Sequence, residues 1–110
     1  MAISVGVDIE NISNFSRNKY GNRRSFYEKI FSPSEIKYCL SKPNPYPHFT
    51  ARFCAKEAAI KALGNDKILL SDIEICIKNK KPILRLHNRK KGIVSLSHTN
   101  DYAIAFVIIL

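Results

Sequence analysis

Four charged residues interrupt one of the most apolar stretches of the chain. Between Phe49 and Leu63, FTARFCAKEAAIKAL, the residues Arg52, Lys56, Glu57 and Lys61 stand among small and aliphatic side chains. Glu57 and Lys61 are four apart, so on a helix they point the same way. A charge taken out of water is costly unless it is paired or coordinated, so these four need a purpose. Two other groups of polar residues also stand where a fold does not need them. Asp8 and Glu10 alternate with Val7 and Ile9 near the N-terminus, and Ser95-Leu96-Ser97-His98-Thr99 lies near the C-terminus. On an extended strand Asp8 and Glu10 share a face, two carboxylates aimed together. Carboxylates from a strand end and a helix are hard oxygen ligands suited to Mg²⁺. That ion takes one or two of them and leaves its other positions to water and substrate phosphates. Arg52, Lys56 and Lys61 would meet the charge of those phosphates. Each feature also has a plainer reading: a strand end reaching solvent, a surface Glu–Lys pair, a hairpin histidine. His48 and His87 suggest no function.

The elements that must position these groups can be read from pattern. The stretch 49–63 has strong helix formers and no internal Gly or Pro, and its small and apolar side chains go nearly all the way round. It reads as a helix buried on most sides, led in by a loop carrying Pro43, Pro45 and Pro47 and closed by Gly64. Ile3 to Glu10 alternates strictly, as a half-buried strand does. Residues 11–22 are polar, irregular or weakly helical, and a short helix follows around Ser25 to Phe31. Ser32-Pro33-Ser34-Glu35 is a capping box that opens a helix to about Leu40. Strands follow at Ser71 to Ile77, with Ile73, Ile75 and Ile77 inward, then at Ile83 to Leu86 after a turn over Asn79 to Pro82. A basic loop (Arg89, Lys90, Lys91, Gly92) leads to strands at Ile93 to His98 and Tyr102 to Leu110. The last strand is apolar on both faces and belongs inside the sheet, with Tyr102 and Phe106 in the core. Thr99-Asn100-Asp101 makes a tight hairpin with His98 at its mouth. The expected fold is α+β: one domain, residues 1–110, with a mostly antiparallel sheet packed around a central helix.

A chain of 110 residues with 45% apolar composition can bury a real core, which excludes disorder. No apolar run reaches membrane-spanning length and no signal peptide is visible, so a soluble, cytoplasmic protein is expected. Cys39, Cys54 and Cys76 match neither a disulfide framework nor a zinc spacing and read as reduced thiols. The net charge of +9 implies a polyanionic partner: nucleic acid, a phosphorylated small molecule or an acidic protein.

Three motifs together are more specific than any one. Gly6-Val7-Asp8-Ile9-Glu10, Phe53-Cys54-Ala55-Lys56-Glu57-Ala58 with Lys61, and Ser95-Leu96-Ser97-His98-Thr99 resemble the 4′-phosphopantetheinyl transferases. Length, element order and the Phe31-Ser32-Pro33-Ser34-Glu35 segment resemble the short, holo-(acyl carrier protein) synthase type, over essentially the whole chain. The resemblance implies transfer of phosphopantetheine from coenzyme A to a serine of an apo acyl carrier protein, with release of 3′,5′-ADP. It also implies that Asp8 and Glu57 ligate Mg²⁺ at the pyrophosphate and that Lys61 steadies the leaving group. Glu57, or a metal-bound water beside it, is the implied base. Arg52, Lys56, Pro82, His98 and Thr99 are the implied coenzyme A contacts, and a homotrimer with the cofactor between subunits is the implied assembly.

Two departures stand out. Glu10 makes a D-x-E pair, similar to the longer two-domain members, and could add a third metal ligand. Asn79-Lys80-Lys81-Pro82 stands where the short type commonly has Gly-Lys-Pro. Carrier proteins of this kind are acidic, and the basic segment Arg17, Lys19, Arg23, Arg24 is the expected docking face for one, against the plainer reading of a solvated basic face. The competing expectations are a coenzyme A-binding protein of the same fold without transferase activity and a small basic nucleic-acid-binding domain.

Overall fold

The central helix, α4, runs from Pro45 to Leu63 in a computed structural model that describes residues 2–86 and 91–110. It begins one turn before the Phe49 expected from sequence. Asn44 caps it, its Oδ1 accepting from the Tyr46 N–H at 3.3 Å, so that Pro45 and Pro47 fall within the first turn. Amide groups there have no acceptor within the helix, so prolines cost nothing and their fixed φ helps. Gly64 ends the helix in the left-handed region at φ 66°.

Five antiparallel strands form one sheet: β1 (Ser4–Asn11), β2 (Ile73–Lys78), β3 (Lys81–Leu86), β4 (Lys91–His98) and β5 (Tyr102–Ile109), in the order β1-β5-β4-β3-β2. Helix α4 lies across one face, mainly on β1 and β5. Its other side is covered by α1 (Ser13–Ser16), α2 (Arg24–Ile30) and α3 (Pro33–Leu40). The expected α+β fold is therefore present. Residues 11–22, expected to be irregular or weakly helical, hold α1 and a 3₁₀ turn at Tyr20–Asn22. The capping box at Ser32 is complete, with the side chains of Ser32 and Glu35 each bonded to the other's backbone N–H. Phe15, Tyr27, Phe31 and Phe49 knit these short helices to α4 through edge and tilted ring contacts. The Tyr27 hydroxyl donates to the carbonyls of Phe15 and Asn18.

Strand β1 presents the opposite face from the one its pattern suggests. An alternating strand ordinarily buries its apolar side, yet Ile3, Val5, Val7 and Ile9 are all exposed, at 62%, 58%, 49% and 59%. The face with Ser4, Gly6, Asp8 and Glu10 lies against α4. Gly6 explains the choice: a Cβ built there would stand 2.0 Å from the Ala58 carbonyl oxygen. Strand and helix backbones approach so closely that only a glycine opposite an alanine-rich helix fits. On β5 likewise Ala103, Ala105 and Val107 are buried, whereas Tyr102, Ile104 and Phe106 are exposed. The last strand lies inside the sheet as expected, but Tyr102 and Phe106 are not core residues.

Asn79 and Lys80, at φ 52° and 65°, form the two-residue turn between β2 and β3. Pro82 is accommodated within β3 because, among the described residues, that strand pairs with β4 at Leu84 and Arg85 and not at the proline, whose other edge is left open. Ile73 and Ile75 point inward, and Ile77 is exposed. Arg89, Lys90 and His87 lie outside the described residues, while Lys91 and Gly92 open β4. Among the described residues no helix is long and apolar enough to cross a membrane, and the three cysteines are free.

Candidate active site

The close packing of Gly6 on α4 sets Asp8 and Glu10, the next residues on that face, beside the C-terminal half of the helix. Lys61 spans the two elements: its ammonium donates to the Val7 carbonyl at 3.0 Å and meets Asp8 Oδ1 at 3.3 Å. Asp8 is largely enclosed, and its Oδ2 is buried with no hydrogen-bond donor among the described residues. Burial, and then the Asp8 charge, push the Glu57 carboxyl above its usual range. Burial also raises Glu10, to about 7, with Asp8 and Glu57 adding to the shift and Lys61 opposing it. Three carboxylates thus repel one another at one place, with one cation between them.

This donor set suits a hard divalent cation, which would relieve the repulsion and give the orphaned Asp8 oxygen a partner. Among the described residues, no three Asp, Glu, His or Cys side chains are gathered as a ready-made cage. Glu10 and Glu57 both face a cavity of about 1000 Å³ whose other walls include Phe15, Phe26, Phe53, Ile60 and Leu69.

A second cavity, of about 430 Å³, opens on the other flank of α4, between the helix, β3 and β4. It gathers Arg52, Pro82 and His98, together with Tyr38, His48 and Lys81. The Arg52 guanidinium stacks over the Tyr38 ring at 4.2 Å and donates to the His48 carbonyl at 3.2 Å. Its Nε is buried without an acceptor among the described residues. Thr99 is not part of the cavity wall: its Oγ1 accepts from the N–H groups of Asp101 and Tyr102, fixing the hairpin.

Two chemically distinct sites thus flank one helix. A sequence profile of the 4′-phosphopantetheinyl transferase superfamily matches residues 4–107. The chain belongs to that superfamily. Within it, the likeness is to enzymes of the holo-(acyl carrier protein) synthase type. The holo-[acyl-carrier-protein] synthase of Chlamydia caviae is 39% identical, the match covering 96% of this chain and 95% of the relative. That of Thermodesulfovibrio yellowstonii is 38% identical, over 99% of both. Among solved structures, the Bacillus anthracis holo-(acyl-carrier-protein) synthase in complex with CoA (3′,5′-ADP) superposes with a TM-score of 0.84 at 26% identity, covering 98% and 97% of the two chains. The Helicobacter pylori enzyme in complex with coenzyme A gives 0.84 at 29%, covering 96% and 99%.

One member of the transferase motif has a different task from the one expected. Lys56 does not reach a phosphate site: it is fully buried, its ammonium 2.9 Å from Glu35 Oε1 and donating to the carbonyls of Leu70 and Ile73. Glu35 in turn accepts from the Ser32 and Ile75 N–H groups. The pair ties α3, α4 and β2 together and is fully engaged. Sequence reasoning also missed His48, because no motif marks it; only the fold brings it beside His98, with ring centroids 5.9 Å apart.

Proposed function

We propose that the chain transfers 4′-phosphopantetheine from coenzyme A to a serine of an apo acyl carrier protein, with Mg²⁺, releasing 3′,5′-ADP. The observation that carries this reading is the Asp8–Lys61 contact beside Glu57, in a chain whose relatives include solved coenzyme A complexes. Asp8 and Glu57 would hold the metal, which supplies stabilisation of the charge that develops as the pyrophosphate breaks. Lys61, largely exposed, turns from Asp8 towards the phosphates and steadies the leaving group. Glu57, its carboxyl raised by burial, takes the proton of the carrier serine. The serine oxygen then bonds to the phosphorus bearing the pantetheine, and the bond from that phosphorus to the bridging oxygen breaks, leaving both electrons on 3′,5′-ADP.

The separation of the two sites bears on assembly. Arg52 and Glu57 are five residues apart, about 140° around a helix, so one coenzyme A does not easily reach both on one copy. A homotrimer with the cofactor between subunits resolves this, and the exposed apolar face of β1 and β5 is the surface that would be covered. That face carries no Lys or Arg on either strand, which weighs against a single-stranded nucleic-acid platform despite the exposed Tyr102 and Phe106. The basic segment Arg17 to Arg24 would dock the acidic carrier. Free thiols accord with a cytoplasmic setting.

The deciding experiment is intact mass of an apo carrier incubated with the protein, coenzyme A and Mg²⁺. Addition of one phosphopantetheine is expected, abolished by chelation and by Asp8→Ala or Glu57→Ala. Coenzyme A binding without modification of any carrier tested would favour the binding-only alternative.

A further inference from the structure

The second cavity holds a residue that no motif assigns. The His48 ring stands edge-on to Tyr38 and to His98, with centroids 6.1 Å and 5.9 Å away. Its backbone carbonyl holds the Arg52 guanidinium, so His48 and Arg52 are fixed relative to each other. Both line the cavity, as do Lys81 and His98, and no Asp or Glu is among the described residues that line it. Glu35, the carboxylate on α3, is engaged by Lys56. The buried, unpartnered Nε of Arg52 leaves a donor without an acceptor in the same wall. A cavity with two imidazoles, a guanidinium and an ammonium, and no carboxylate, is built for an anion.

We propose that His48 is a phosphate-binding residue: in its protonated form it joins Arg52 and His98 in recognising a phosphomonoester on a nucleotide ligand. This rests on the coenzyme A reading of the site. The groups facing His48 are Tyr38 from α3, Lys42 from the α3–α4 connection, Arg52 from α4, Lys81 from β3 and His98 from β4. Burial, and then the charges of Arg52, His98 and Lys42, hold the His48 pKa below the ordinary histidine value. Without an anion the ring is therefore neutral near neutral pH. A phosphomonoester reverses the local field, and His48 takes up a proton as the ligand binds. Because the bound state then carries more protons than the free state, affinity rises as pH falls, by up to about tenfold per pH unit for one proton. The ligand lacking the phosphomonoester gains nothing from this.

Calorimetric titration with coenzyme A and with 3′-dephospho-coenzyme A isolates that group, because the two differ in nothing else. The ratio of their Kd values is expected to grow about threefold or more in favour of coenzyme A between about pH 8 and pH 6.5. In His48→Phe, which keeps a ring against Tyr38 and His98, the ratio is expected to be smaller and its growth clearly reduced. The phosphate also titrates, so the difference between the two proteins is the quantity read. Should His48→Phe fail to fold, His48→Gln serves instead: it keeps a donor but cannot titrate. An identical ratio at both pH values in wild type and variant would overturn the role of His48 while leaving the coenzyme A reading intact. No binding of either ligand to the wild-type protein would overturn both.

Discussion

Lys56 and Lys61 lie on the same helix five residues apart, and from sequence both are expected to meet phosphates. The fold gives them opposite fates. Lys61 sits at the open end beside Asp8, with its side chain 57% exposed, whereas Lys56 is sealed against Glu35. A buried pair of this kind adds little net stability, but removing one partner strands a charge in the core. Lys56→Met should therefore cost about 3 kcal/mol or more in urea unfolding. Glu35→Gln combined with Lys56→Met should recover part of that, and an additive double variant would show that the two groups do not act as a pair. The acidic cluster was more legible than the basic one. Residue type and spacing single out Asp8, Glu57 and Lys61, and the structure brings them to one place. The partner of Lys56 was hidden because Glu35 reads as a simple capping residue, and nothing local shows its second oxygen reaching the Ile75 N–H.

At the scale of elements, helices with explicit caps and the hairpin strands were readable, and the orientation of β1 was not. Alternation gives the period but not which side a neighbour covers. Four aliphatic residues on one face outweigh Ser4, Gly6, Asp8 and Glu10 in any hydropathy argument. Shape decided otherwise, because α4 offers Ala55, Ala58, Ala59 and Ala62 and can approach only a strand without a Cβ at the contact. Gly6→Ala should then force strand and helix apart, costing about 3 kcal/mol in chemical unfolding and displacing Asp8 from Lys61. Unchanged stability would show that the contact is looser than described. The β2–β3 turn predicts the opposite effect. Lys80 occupies the left-handed region at φ 65° without the glycine that suits it. Lys80→Gly should stabilise the protein by about 0.5–1 kcal/mol, read as a higher Tm, because the strain of a side chain there is removed.

At the scale of the whole molecule, two surfaces bear on the proposed assembly. The first is the sheet face of Val5, Val7, Ile9, Ile104 and Phe106, contiguous because Val7 pairs with Phe106 and Ile9 with Ile104. The second is functional: the carboxylate cluster and the Arg52–His98 cavity face different flanks of α4. If each active site takes its acids from one subunit and its phosphate-binding residues from the next, covering the first surface completes the second. This predicts complementation. Arg52→Ala and Glu57→Gln should each be nearly inactive, yet co-refolding equal amounts should restore activity. In randomly mixed rings a site is intact when an Arg52→Ala subunit supplies its acids and a Glu57→Gln subunit its arginine. That happens in about one quarter of sites, so about a quarter of wild-type activity is expected. Sites built within single subunits would give no recovery at any mixing ratio. Ile104→Lys with Phe106→Lys, which charges the apolar face without touching either site, should yield a folded monomer by sedimentation. That monomer should have lost the activity recovered in the mixture, since a solitary subunit then has acids and arginine but no common ligand between them.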